Sequence, residues 1–323
     1  MKEMNKVSIV GAGAVGATTA YLLSHTEWID EVVLVDLDKN RATGQALDMM
    51  HGVGVSTSRK VTAGDYADTK DSDIVVITIG VPEKVGESRL VPMQKNADIL
   101  KDIVPQIVNY SPKTKIITVS NPVDILAYMT YQVATIPAAN VIGLGTLLDT
   151  SRLKYILSDY FNISPQSITA SIVGEHGDAQ VVLWSQTRIG GLSVQDFAQT
   201  QGMTLPHDFT EVIEQRVKET AFDVWQMKGP NCFCVADAIK CLIDALCHSE
   251  RRILPVSHLY QTKTGKEVYI SLPSIVSHQG VEQRLPQLLN EKEHTQLYAS
   301  CDVMRSYICL LYTSDAADDS LRV

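Results

Sequence analysis

The residue best equipped for chemistry in this chain is a histidine between two glycines, in Gly174-Glu175-His176-Gly177-Asp178. Its ordinary pKa suits proton transfer near neutrality. Glycines on both sides let the backbone turn with positive φ and let another molecule come close. The apolar run 168–173 before it reads as a strand that aims the imidazole out of the backbone. The same motif also describes a histidine packed in a turn, so its partners decide between the two. Asp149 and Arg152 are spaced to share one helix face. As a plain ion pair they contribute roughly 0.2–0.5 kcal/mol. Used separately for chemistry, Asp149 would orient an imidazole and stabilise its protonated form. Arg152 would offer a two-pronged fork to a substrate carboxylate.

A second constellation is Gly11-Ala12-Gly13-Ala14-Val15-Gly16, which follows a β-branched run and opens a helical pattern. In that context Gly11 permits a tight turn, Gly13 lets a pyrophosphate approach the backbone, and Gly16 lets strand and helix pack closely. Asp36 ends the next strand. An acid there would accept hydrogen bonds from both adenosine ribose hydroxyls and repel a 2′-phosphate, which favours NAD over NADP. Arg41 would soften that exclusion if it faced the ribose, but it reads equally as a surface residue. Around these we expect Val15, Tyr66, Gly80, Val81, Val119 and Asn121 to contribute to the cofactor site. Gly80-Val81-Pro82-Glu83 through Arg89-Leu90 is rich in glycine and charge and reads as a mobile loop before a helix starting near Pro92. Arg89 there is either solvated or, on closure, a cation placed on a polarised carbonyl.

These residues require a scaffold. The runs 6–10, 31–35, 73–79, 115–119 and 140–142, with a weaker 60–63, are Val/Ile-rich and alternate with helical patterns. That alternation predicts a doubly wound parallel α/β sheet. Asn121, just after the fifth strand, then lies at the carboxyl edge where such sheets bind ligands. The second half predicts helices over 206–229, 235–247 and 291–310 and antiparallel strands around 254–257 and 269–277. That is a mixed α+β substrate domain. We expect a cofactor domain over 1–145, a substrate domain over 146–308, and a tail from 309 to 323 extraneous to the functional protein.

Composition narrows the partners. With 45% hydrophobic and 20% charged residues the chain reads as globular. A net charge of −9 without a basic cluster argues against nucleic acid. No apolar run reaches the ~18 residues of a membrane span, and a strand starting at Val7 leaves no room for a signal peptide, so a cytoplasmic address is expected. Four of the six cysteines lie within 232–247 among apolar neighbours. We read them as buried thiols rather than metal ligands.

Over roughly residues 5–306 the chain resembles the L-lactate/malate dehydrogenase family, nearest its bacterial L-lactate branch. The resemblance is carried by the glycine turn and Asp36, Lys84-x-Gly86-Glu87-x-Arg89-Leu90, Asn121-Pro122, Leu148-Asp149-x-x-Arg152, Gly174-Glu175-His176-Gly177-Asp178 and Lys228-Gly229. It implies a Rossmann-type cofactor domain and a homotetramer (or dimer). It also implies reduction of a 2-oxo acid by NADH, with His176 as proton donor, Asp149 orienting it, Arg89 polarising the carbonyl and Arg152 holding the carboxylate. Glu83 occupies the position that is typically glutamine in lactate enzymes and arginine in malate enzymes, so it would repel a second carboxylate. Pyruvate is the expected substrate; oxaloacetate and branched 2-oxo acids are the alternatives. Asn231 replaces a usual threonine, Cys234 a common glycine and Leu144 a small polar residue, all beside the expected pocket. A catalytically inactive NAD sensor is the reading from another class. It would have no need of His176, Asp149, Arg89 and Arg152 together.

Overall fold

A computed structural model describes residues 5–52, 55, 59–81, 90–248, 250–286 and 288–319. In the first half, β1 (Lys6–Val10), α1 (Ala14–Ser24), β2 (Glu31–Val35), α2 (Lys39–His51), β3 (Lys60–Ala63) and β4 (Ile74–Ile77) come first. They are followed by α3 (Leu90–Tyr110), β5 (Lys115–Thr118), α4 (Val123–Ala134) and β6 (Val141–Gly143). The six strands pair in parallel in the order β3-β2-β1-β4-β5-β6. Strand order reverses between β1 and β4, which opens a crevice at their carboxyl ends. Every residue of β4 is buried, because helices cover both faces of the sheet and leave no side for polar residues.

The second half contains α5 (Leu147–Phe161), β7 (Ile168–Thr169), β8 (Ile172–Gly174), β9 (Gln180–Val182), β10 (Arg188–Ile189) and β11 (Leu192–Ser193). It continues with α6 (Val194–Thr200), α7 (Phe209–Lys228), α8 (Phe233–His248), β12 (Arg252–Gln261), β13 (Glu267–Ser277), β14 (Gly280–Arg284) and α9 (Glu291–Asp319). β12 pairs antiparallel with β6, and β13, β8, β9 and β14 extend the same sheet, so both halves share one 11-stranded sheet. The join is tight. A Cβ on Gly143 would sit 2.9 Å from Ser257 Cβ, and one on Gly145, at φ +58°, would sit 2.2 Å from Ser271 Oγ.

The structure departs from the sequence reading in four places. The run 168–173 is two strands in different sheets: β7 pairs with β10, β8 with β9 and β13. α3 starts at Leu90 rather than near Pro92, since proline is tolerated in a first turn where its missing N–H is not needed. α9 does not stop at 310. Its backbone stays helical to Asp319, and Leu311, within the tail set apart from sequence, is buried against the core. Of the thiols read as buried, Cys232 is buried, Cys241 and Cys247 are half-buried and Cys234 is exposed. Among the described residues no helix is long and apolar enough to cross a membrane, and no three His, Cys, Asp or Glu residues gather as a metal site.

Candidate active site

His176 sits in the bend after β8. Gly174 takes φ +88°, which favours glycine, and a Cβ there would meet Ser300 Oγ at 2.6 Å. Ser300 Oγ accepts the Glu175 N–H at 2.8 Å, and Glu175 Oε2 folds back to accept the Ala179 N–H at 2.9 Å. Gly177 departs from expectation: it needs no positive φ. A Cβ there would come within 2.9 Å of Glu175 Oε1, so glycine leaves room for that returning carboxylate. The His176 backbone N–H donates to Asp124 Oδ2 at 2.7 Å.

Asp149 enters from the first turn of α5. Its Oδ2 lies 2.5 Å from His176 Nδ1, and its Oδ1 accepts from Arg152 Nη1 at 3.0 Å. An ionised carboxylate only accepts, so Nδ1 carries the proton. Nε2 is then left without a protein partner among the described residues. Sequence reasoning treated Asp149 and Arg152 as an ion pair or as two separate tools; the structure makes Asp149 the bridge between Arg152 and His176. Removal from water works against a charged imidazole, but the charge and hydrogen bond of Asp149, helped by Asp124, outweigh it and raise the His176 pKa. For Asp149 burial works upward, yet His176 and Arg152 hold its carboxyl below the usual range.

Asp149, Arg152, His176, Asn121 and Asn231 line one cavity of about 350 Å³, which Val15, Val119 and Leu144 also border. Asn231 Nδ2 donates to the Ala221 carbonyl at 2.8 Å, which fixes its amide. Cys234, expected at this wall, is exposed and not part of the lining. A second cavity of about 380 Å³ also borders His176 and Asn121 and includes Val81, whose N–H donates to Asn96 Oδ1 at 2.9 Å. Gly80 is exposed beside it. Arg89 and Glu83 lie outside the described residues.

The glycine turn fits a dinucleotide. Gly11 takes φ +109°, a Cβ on Gly16 would fall 1.8 Å from the Gly11 carbonyl oxygen, and a Cβ on Gly13 would meet nothing within 4 Å. Two glycines thus close the strand–helix corner, and the third leaves open space at the N-terminus of α1, which carries no acid in its first turn. The Asp36 carboxylate accepts the Ala12 N–H at 2.6 Å and the Asp38 N–H at 2.9 Å, which ties the end of β2 to the turn. Tyr66 is half-buried near it, its pKa raised by burial and by the Asp36 charge. Arg41 is exposed and lies 3.7 Å from Asp38 at the start of α2, so its nearest acid is Asp38 rather than Asp36.

Sequence reasoning missed three residues at this site. Asp124 holds the His176 backbone, and Ser257 acts on Asp124 from β12. Lys218 of α7 borders the first cavity and donates to the Asp178 carbonyl at 2.8 Å. Asp124 was visible only as an acid in a helix's first turn, and Lys218 only as a polar position on an amphipathic helix.

A dinucleotide turn on a doubly wound sheet, beside an imidazole backed by a carboxylate and next to an arginine, defines an NAD-dependent 2-hydroxy acid dehydrogenase. The chain belongs to the lactate/malate dehydrogenase family. Residues 5–143 match that family's NAD binding domain, and residues 146–310 its alpha/beta C-terminal domain. An L-lactate dehydrogenase of Clostridium perfringens (strain SM101 / Type A) is 41% identical over 308 residues, which cover 95% of this chain and 97% of that one. One of Clostridium botulinum (strain Hall) is 39% identical over 306 residues, 94% and 96% of the two chains. Among solved structures, the lactate dehydrogenase MGS-M5 from a Medee basin deep-sea metagenome library superposes with a TM-score of 0.91 at 35% identity, covering 96% of this chain and 99% of that one. The minor L-lactate dehydrogenase of Enterococcus mundtii, in a ligands-bound form, gives 0.90 at 30% identity, covering 95% and 98%.

Proposed function

We propose that this chain is an NADH-dependent L-lactate dehydrogenase that reduces pyruvate to L-lactate reversibly. The observation that carries the reading is the bridge Arg152–Asp149–His176 in the lining of one cavity. The L-lactate dehydrogenases among its relatives support it. NADH, when bound, supplies the hydride to the carbonyl carbon. His176 holds a proton on Nε2 and delivers it to the carbonyl oxygen, while Asp149 keeps the ring in the required tautomer and stabilises its charge. Arg152, with one amino group on Asp149, turns the rest of its fork to the substrate carboxylate. Asn121 borders both cavities, where substrate and nicotinamide would meet, and Asn231 borders the substrate's side chain. Arg89 polarising the carbonyl and Glu83 repelling a second carboxylate complete the reading from sequence. We assign 1–145 to the cofactor and 146–308 to the substrate. A cytoplasmic homotetramer (or dimer) reoxidising NADH in fermentation is the setting that fits.

The test is NADH oxidation with pyruvate, oxaloacetate and 2-oxoisocaproate side by side. Pyruvate should lead in kcat/KM; another acid leading by about tenfold or more, or ~1.4 kcal/mol, would overturn the assignment. Glu83→Arg should move the ratio toward oxaloacetate.

A further inference from the structure

Two carboxylates hold His176, and only one of them touches its ring. Asp124, in the first turn of α4, is 2% exposed and accepts the His176 backbone N–H on Oδ2 at 2.7 Å. Its other oxygen, Oδ1, is buried without a hydrogen-bond partner among the described residues, and so is the Ser257 hydroxyl on β12. Ser257 is nonetheless the first of the neighbours that favour the charged form of Asp124, ahead of the His176 backbone N–H and ring, by an approach short of a well-formed hydrogen bond. A backbone N–H needs only a neutral acceptor, and an amide would serve. A buried carboxylate with one bare oxygen is a costly way to hold a loop. Its negative charge therefore requires a use, and the nearest proton that it can influence is the one on His176.

We propose that Asp124 is a positioning residue whose buried charge, placed behind the His176 backbone, keeps the catalytic proton on the imidazole to higher pH. This rests on the proton-donor role proposed above for His176. The groups that act on Asp124 are His176 and Glu175, from the loop after β8, and the Ser257 hydroxyl from β12; Glu175 opposes its ionisation. Those that act on His176 are Asp149 and Arg152 from α5 and Asp124 from α4; Arg152 opposes its protonation. Burial pushes the Asp124 carboxyl up to about 6, so it is charged in the range where the imidazole must stay protonated. The coupling is reciprocal: the charged ring favours charged Asp124. In reduction the proton leaves Nε2 for the substrate oxygen while Asp124 gains none. Its remaining charge then favours return of a proton from solvent to the ring. In lactate oxidation, which needs a neutral ring, the same charge is a hindrance.

Asp124→Asn tests this, because it keeps an oxygen for the His176 N–H and removes the charge. The histidine titration is followed by NMR on histidine-labelled enzyme without substrate, with His176→Asn identifying the signal. In parallel, kcat/KM for pyruvate reduction is measured against pH. The His176 midpoint should fall by roughly 0.5–1 pH unit. The basic limb of the rate profile should move to lower pH with it. Ser257→Ala should move both the same way by less. An unchanged His176 titration in Asp124→Asn overturns the proposal; if that variant fails to fold, an unchanged titration in Ser257→Ala does so. A shifted titration in an enzyme that does not reduce pyruvate leaves this coupling standing and removes the substrate assignment instead.

Discussion

Asp149 Oδ2 lies 2.5 Å from His176 Nδ1 and ties the first turn of α5 to the bend after β8. It fixes which ring nitrogen carries the exchangeable proton, and its charge is the largest influence holding that proton in place. The pH behaviour follows with a definite sign. His176 has a folded pKa raised above 6.5, so the protonated form persists past neutral histidine's usual midpoint. Pyruvate reduction should be level at low pH and fall about tenfold per unit once pH passes that raised value; lactate oxidation should mirror it. Asp149→Asn should move the break to lower pH and reduce kcat/KM by roughly 10²–10⁴. Steady-state rates in both directions across pH check this; a break that stays in place would exclude Asp149 as its cause.

The glycine turn offers a matched pair. Gly16→Ala forces a methyl to 1.8 Å from the Gly11 carbonyl oxygen, a clash with backbone that no rotamer relieves. It should destabilise the fold by about 2 kcal/mol or more, seen in thermal unfolding. Gly13→Ala meets nothing in the protein within 4 Å and has an ordinary φ of −74°. Its Tm should match the parent, yet NADH should bind about tenfold or more weakly because the methyl occupies space meant for phosphate. Equal NADH affinity would show that the phosphates lie elsewhere.

Asp36 does two jobs at once. Asp36→Ser removes the charge that repels a 2′-phosphate, and it also shortens the acceptor for the Ala12 N–H. The NADPH/NADH ratio of kcat/KM should rise about tenfold, mostly through a weaker NADH KM, as measured with saturating pyruvate.

The Asp124 carboxyl has a stability cost with its own pH signature. Its folded pKa of about 6 lies above the ordinary 3.8, so the folded state holds a proton that the unfolded chain releases. Stability from this group is therefore present below about pH 4 and lost as pH rises toward 6. Asp124→Asn should gain up to roughly 3 kcal/mol at pH 7.5 and little at pH 4, read from denaturant unfolding at the two pH values. An equal effect at both would mean that the carboxyl is not carrying this charge.

What could be read from the sequence was local. The glycine turn and Asp36 announce themselves because turn chemistry depends on a few adjacent residues, and the structure ties them together through Ala12. His176, Asp149 and Arg152 were recognisable by type and spacing, but the bridging of Asp149 between the other two was not. Asp124 and Ser257 were invisible because their meaning depends on β12 reaching β6 and on α4 lying under the His176 loop. Pairing partners, not propensity, likewise decided that 168–173 became two strands in separate sheets. Arg89 and Glu83 lie outside the described residues, so their roles rest on sequence alone.

The single sheet sets an order of assembly. β6 is the last parallel strand, and its free side pairs with β12, which leaves the ribosome much later, after α5 through α8. Until then a nascent chain carries a nearly complete nucleotide-binding half with an open strand edge, the kind of surface that recruits strands from other chains. Chains truncated ahead of Arg252 should therefore collect in aggregates rather than persist as small soluble cofactor binders. The same strand that closes the sheet also brings Ser257 to Asp124, so sealing that edge and completing the surroundings of Asp124 are one event.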